Sequence, residues 1–177
     1  GKLSRGLGDV YKRQQLQEAL GYFMIGCLHD AFDNDNSSKK ISVRKMLIQV
    51  FNAGSSSIKF ALYQHQSKLE LLKGNLEKIG EASSILSYQT SSSPSQKIEL
   101  PDGCQNHKEG IQKILEIFDQ EKNNPGSADL IVHRVVHGGT KYRHASLLDL
   151  EVKQFIRDMI PLARTHHPAS LACIEEI

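Results

Sequence analysis

Leu47-Ile48-Gln49-Val50-Phe51-Asn52-Ala53-Gly54-Ser55-Ser56-Ser57-Ile58-Lys59-Phe60-Ala61-Leu62-Tyr63 is the stretch from which the fold can be read. Leu47 to Phe51 is an apolar run of the length of a buried strand. Asn52 to Ser57 is turn chemistry, with one glycine and three serines. Beyond it Ile58, Phe60 and Leu62 alternate with Lys59, Ala61 and Tyr63, which predicts a second strand. Ser57 and Lys59 are two apart on that strand, so they share a face. Gly54 lets the backbone turn tightly and lets a ligand approach. Hydroxyls and backbone N–H groups in such a turn suit phosphate oxygens, and Asn52 closes the first strand with an amide at the same place. The chemistry suits a polyphosphate with its metal. A Walker P-loop is excluded, because GxxxxGK followed by Ser or Thr is missing and a strand follows the turn. The same residues also read as a plain hairpin with a Ser-rich turn and a surface lysine.

Working outward from this hairpin, residues 68–76 suggest a third strand ending near Gly74, and 84–90 and 96–100 two more around the Ser/Pro stretch 91–95. His107 to Glu121 reads as a helix, with Ile111, Ile114, Leu115 and Phe118 on one face. Asp129 to Val136 reads as a buried strand, and a helix at about 149–160 is marked by Val152, Phe155, Ile156, Met159 and Ile160. Another helix is predicted to begin at Pro168, a residue suited to a first helical turn. Strands in series, then helix, strand and helix, make a mixed α/β layout. Upstream, residues 16–32 have Leu16, Leu20, Phe23 and Cys27 near helical spacing, and 33–40 read as a polar linker. The texture changes at Met46, so residues 1–45 are expected to be a tail foreign to the domain and residues 46–177 the domain itself.

Two further segments carry chemistry. In His133-Arg134-Val135-Val136-His137-Gly138-Gly139 a buried strand runs into an arginine and a glycine pair. An arginine at a strand end meets a carboxylate or phosphate with two parallel hydrogen bonds. Val136, two residues on, would add an apolar wall, and an anion clamp beside such a wall describes a short-chain carboxylate site. A surface arginine with a turn is the competing reading, and His133 and His137 would favour a metal only on a helix. In Thr165-His166-His167-Pro168 a histidine stands just ahead of a helix N-terminus, where it could offer N–H to a phosphoryl oxygen. Exposed histidines in a helix-entry loop are the alternative.

Bulk properties narrow the classes. The net charge is +2, and residues 1–45 hold 8 Lys/Arg against 5 Asp/Glu, leaving 14 against 15 for residues 46–177. The domain is therefore near neutral and has no electrostatic footprint for nucleic acid. The longest apolar run, Ala19 to Leu28, contains two glycines and is too short to cross a bilayer. Cys27, Cys104 and Cys173 are odd in number and far apart, which excludes a CxxC metal site and points to a reducing, cytoplasmic setting.

In their order and spacing, Asn52–Lys59, His133–Gly139 and Leu162–Ile177 resemble the signatures of the acetate kinase (acetokinase) family. The third is similar to the family's LAPLHNPANL, with Arg164 where Pro is usual, Thr165 where Leu is usual and His167 where Asn is usual. The resemblance spans Met46 to Ile177. It implies an actin-like (ribonuclease H-like) α/β fold of the acetate and sugar kinase superfamily, present here as its N-terminal part. It also implies reversible phosphoryl transfer between ATP and acetate with Mg2+, giving acetyl phosphate and ADP. By the same resemblance Asn52 stands near the metal, and Ser55, Ser57 and Lys59 lie by the nucleotide phosphates. Arg134 would bind the carboxylate or the transferring phosphoryl group. Val136 would line the methyl pocket, and His166 would stabilise the transition state. Thr165 would make one wall of the acyl pocket more polar, which leaves substrate preference open, and propionate kinase, which shares these motifs, is the alternative. The family's aspartate base, second histidine, second arginine and metal-binding glutamate are expected downstream of residue 177, so this chain alone is expected to be inactive. A homodimer is the expected assembly of the longer protein. A non-catalytic nucleotide- or anion-binding half-domain is the reading from a different class.

Overall fold

The computed structural model describes residues 46–120 and 128–177. They fall into two compact units: one contains 140–147, the other all the remaining described residues. In the small unit the Lys141 ammonium lies over the Tyr142 ring at 5.3 Å, and the Ser146 hydroxyl donates to the His144 carbonyl at 3.3 Å. The helix expected within 16–32 and the linker at 33–40 lie outside the described residues.

The large unit is a mixed six-stranded sheet. Its strands are β1 (Leu47–Ala53), β2 (Ser57–Gln64), β3 (Leu69–Glu77), β4 (Ser84–Thr90), β5 (Gln96–Leu100) and β6 (Leu130–His133). The order is β5-β4-β3-β2-β1-β6, antiparallel from β1 through β5, with β6 parallel to β1. Helix α1 (His107–Gln120) lies in the β5–β6 connection; α2 (Leu150–Asp158) and α3 (His167–Glu176) follow β6. The mixed α/β fold expected from the sequence is the one observed.

The strands alternate as their sequences require. Leu47, Phe51 and Ala53 of β1, Ile58, Phe60 and Leu62 of β2, and Leu72 and Leu76 of β3 point to one face. There they meet Ile111, Ile114, Ile117 and Phe118 of α1 and Ala169 and Cys173 of α3. Phe118 anchors this core, with its ring edge-on to Phe51 at 6.0 Å and to Phe60 at 5.6 Å. Each fully buried side chain of this size contributes about 1.5–3 kcal/mol, so α1 is held by its apolar stripe more than by its own propensity. Two glycines permit the packing. Phe60 covers Gly74, where an added Cβ would stand 2.3 Å from the ring. Gly110 brings α1 against the sheet, where a Cβ would stand 2.8 Å from Leu76 Cδ2.

Helix boundaries follow local chemistry. Asn106 caps α1: its side-chain oxygen accepts from Glu109 N at 3.0 Å, while Glu109 reaches back to Gln105 N at 2.8 Å. Asp149 caps α2 by accepting from Val152 N at 2.8 Å. The helix expected to run to residue 160 ends at Asp158, and a short 3-10 turn, Ile160–Leu162, follows. Pro161 lacks the N–H that would extend the α-helical ladder. Helix α3 starts one residue earlier than expected, at His167.

The strand expected over 129–136 is shorter than the sequence suggested. It pairs with β1 only from Leu130 to His133, and its residues are half-buried. Arg134 N still donates to Phe51 O at 2.9 Å, after which the chain leaves the sheet. As the outermost strand among the described residues, β6 has one covered edge, which is why its apolar run is not fully buried.

Candidate functional site

β1 and β6 are parallel and adjacent, so their C-terminal ends lie at the same edge of the sheet. Ligands of open α/β sheets gather at the carboxyl ends of such strands. Here the first strand delivers Asn52 and the second delivers Arg134. The Arg134 Nη1 group donates to Asn52 Oδ1 at 3.4 Å, joining two motifs that are 82 residues apart in the chain. Asn52 is also the direct cross-strand partner of Lys59, so these side chains share a face of the sheet. Ser57 shares it too, two residues before Lys59 on β2. The sheet therefore collects an amide, an ammonium, a hydroxyl and a guanidinium at one edge.

Between β1 and β2 the turn is closed by Gly54 N–H donating to Ser57 O at 2.7 Å. That amide is thus engaged, which trims the set of N–H groups expected to face a phosphate. Among the described residues no hydrogen bond engages the N–H groups of Ser55 and Ser56, and both residues are exposed. The turn's carbonyls are tied elsewhere. Ser56 O accepts from Ile79 N at 3.0 Å, and Gly54 O is 2.7 Å from Nε2 of His107, the first residue of α1. Because a carbonyl only accepts, the ring nitrogen facing it carries the proton.

Ser55 also lines a cleft of about 460 Å3, together with Asn106, His107 and Lys108 of the α1 start and Arg164, Thr165, Pro168, Ala169 and Ala172. Lys108 is paired with Glu176 at 2.9 Å, and that contact together with the Gln112 hydrogen bond holds the Glu176 carboxyl below its usual range. Arg164 is exposed. The cleft thus places the third motif's Arg164 and Thr165 beside the first motif's Ser55. His166 itself is exposed at the N-cap of α3 and makes no capping hydrogen bond. Val136 is 41% exposed, and because β6 ends before it, strand alternation does not set its direction relative to Arg134.

Three residues near the turn were not legible in the sequence. His107 read only as the start of a helix. Glu77 stands opposite Ser57 on β3, which puts a carboxylate on the face that carries Ser57 and Lys59. Asn75 stands opposite Lys59, and its side-chain oxygen is buried with no hydrogen-bond partner. Strand periodicity alone gives the faces of β3; its register against β2 is what brings these two side chains alongside the motif.

Three further groups, the half-buried His133 and the buried Cys104 and Cys173, have displaced proton affinities. His133 stacks on Phe51 at 5.5 Å, and burial, aided by the nearby Lys153 charge, lowers its pKa from 6.5 to about 4. The ring is therefore neutral at pH 7. Burial pushes the Cys173 thiol up to about 12 and also raises that of Cys104, so neither is an activated nucleophile. Among the described residues no group of three or more His, Cys, Asp or Glu side chains gathers to hold a metal, and no helix is long and apolar enough to cross a membrane.

A family model described as the acetokinase family matches residues 47–177. The chain is 36% identical over 134 residues to the acetate kinase of Caldanaerobacter subterraneus subsp. tengcongensis and 38% identical over 128 residues to that of Sulfurimonas denitrificans. These alignments cover 73% and 71% of this chain, but only 33% and 32% of the relatives. Among solved structures, Porphyromonas gingivalis acetate kinase superposes with a TM-score of 0.65 at 29% identity, covering 75% of this chain and 34% of that one. A propionate kinase from Francisella tularensis superposes with a TM-score of 0.63 at 27% identity, covering 74% and 33%. The chain spans about a third of the length of the curated relatives it matches.

Proposed function

The chain belongs to the acetokinase family, and from that premise we propose that its protein transfers the γ-phosphoryl group of ATP reversibly to acetate, with the described residues supplying the phosphate turn and the anion clamp. The observation that carries this reading is the Arg134–Asn52 contact at the shared end of β1 and β6, which unites two sequence motifs in one polar edge.

In-line phosphoryl transfer asks a protein for positioning and for neutralisation of spread charge more than for covalent chemistry. Lys59 brings a point charge to the turn. Arg134 brings a planar fork able to hold a carboxylate or a phosphoryl group by two bonds. The unengaged N–H groups of Ser55 and Ser56 suit phosphate oxygens. Val136 is proposed as the apolar neighbour of the methyl group. His166, at the start of α3, is proposed as a donor to the transferring group, favoured by the positive end of that helix. Ser57 and Glu77, which stand opposite each other on one face, offer oxygen donors of the type Mg2+ takes and would face the ion, with Asn52 near it on the same face. When bound, Mg2+ neutralises charge on the phosphate oxygens.

Thr165 favours keeping a second substrate in view. It stands where the family usually has Leu, and a propionate kinase is among the solved structures the chain resembles, so propionate is the competing carboxylate.

The test is binding of acetyl phosphate and of MgADP to the chain, measured by isothermal titration calorimetry. Arg134→Ala is expected to weaken acetyl phosphate about tenfold or more while leaving MgADP within about threefold. Arg134→Lys is expected to restore little, because it keeps the charge and loses the fork. Equal loss of both ligands, or of neither, would sink the clamp assignment. Propionyl phosphate in place of acetyl phosphate decides between the two carboxylates.

A further inference from the structure

The Gly54–Ser57 turn has little to hold it from within. Ser55 and Ser56 are exposed, and one backbone bond closes the loop. Its conformation is set by what grips its carbonyls from outside. One grip is a backbone amide, Ile79 N–H to Ser56 O at 3.0 Å. The other is a side chain 53 residues away: His107 Nε2 to Gly54 O at 2.7 Å.

In a planar trans peptide the C=O and the following N–H point in opposite directions. Drawing the Gly54 carbonyl towards His107 therefore turns the Ser55 N–H away from α1, to the side where it has no partner. We propose that His107 is a positioning residue of the phosphate turn: its Nε2–H fixes the Gly54–Ser55 peptide so that the Ser55 N–H is presented to a phosphate oxygen. This rests on the reading of the turn as a phosphate-binding element.

The surroundings fix His107 itself. The Asn106 cap, with Glu109 reaching back to Gln105 N, sets where α1 begins. One turn later Gly110 lets the helix sit against Ile58 and Leu76, since an added Cβ there would lie 3.2 Å from Ile58 Cδ1 and 2.8 Å from Leu76 Cδ2. The ring is thus carried on a rigid helix start, packed on the same strand that leaves the turn. The bond is a donation from Nε2, so it survives protonation of the other ring nitrogen.

The parent chain and two variants, His107→Leu and His107→Gln, test this, with MgADP as the probe at 10 °C and the fold checked by circular dichroism. Leucine keeps bulk and removes the donor. Glutamine restores an N–H at similar reach. Leucine is expected to weaken MgADP about tenfold, the worth of one hydrogen bond, and glutamine to return it to within about threefold. A purely structural role would not be rescued by glutamine. Unchanged binding by His107→Leu, or equal loss in both variants, overturns the inference. If the leucine variant does not fold, ring nitrogen NMR of the parent decides. An Nε2–H ring supports the assignment, and an Nδ1–H ring overturns it. Failure of the parent to bind MgADP would overturn the phosphate reading of the turn, and this inference with it.

Discussion

His133 offers a direct test of the packing between β1 and β6. Its ring lies on Phe51 at 5.5 Å and 21°, and burial lowers its pKa from 6.5 to about 4. The folded chain therefore prefers the neutral ring, and between pH 6.5 and about 4 the unfolded chain binds more protons than the folded one. Stability must then be fullest above pH 6.5, fall on acidification through this window, and lose nothing more from His133 below about pH 4. The displacement, 6.5 minus about 4, corresponds at most to about 3.4 kcal/mol. His133 keeps some contact with solvent, so about 2 kcal/mol is the expected loss. His133→Phe keeps a ring on Phe51 and removes the titration. Urea unfolding midpoints of both proteins would be measured from pH 7.5 to 4.5. Carboxylates titrate in both and cancel in the difference, which is expected to grow by about 2 kcal/mol in favour of the variant as pH falls. Parallel curves would refute the buried, neutral assignment. Lys153→Gln, which removes the secondary cause, is expected to narrow the window.

Three other outcomes follow from the packing. Gly74→Ala sets a methyl group against the Phe60 ring and 2.7 Å from the Ser87 carbonyl, so a loss of about 1–3 kcal/mol in urea unfolding is expected; a neutral effect would mean the strands can part there at little cost. Ser84 is fully buried, accepts from Cys104 N at 2.8 Å and donates to Lys78 O at 3.1 Å, so Ser84→Ala leaves a buried N–H unpaired and is expected to cost about 1–3 kcal/mol, while Ser84→Thr, which keeps the oxygen, should cost less by the same measure. Cys104 and Cys173 are buried with raised pKa values, so a thiol reagent at pH 8 is expected to label them only on addition of denaturant, and rapid labelling of either in the native chain would contradict their burial.

Much of this protein was decided in its sequence. The alternation of Ile58, Phe60 and Leu62 and the i, i+3, i+4 stripe of Ile111, Ile114, Leu115 and Phe118 are local signals, because strand and helix periods are properties of a few consecutive residues. The Asn52–Lys59 and His133–Gly139 motifs were legible for the same reason: each is a contiguous run whose residue types serve one chemistry. What the sequence could not decide is what depends on the pairing of distant segments. The parallel register of β6 on β1 brings Arg134 to Asn52, and the β2–β3 register brings Glu77 opposite Ser57 and Asn75 opposite Lys59. The seating of α1 on β2 brings His107 to Gly54. The early end of β6 at His133 is a tertiary outcome too: Val135 and Val136 have good strand propensity, yet the chain leaves β1 after the Arg134 N–H bond to Phe51 O. Hydrogen bonds and cross-strand contacts act over a few ångströms between residues up to 82 apart in the chain, and only the folded sheet makes them neighbours.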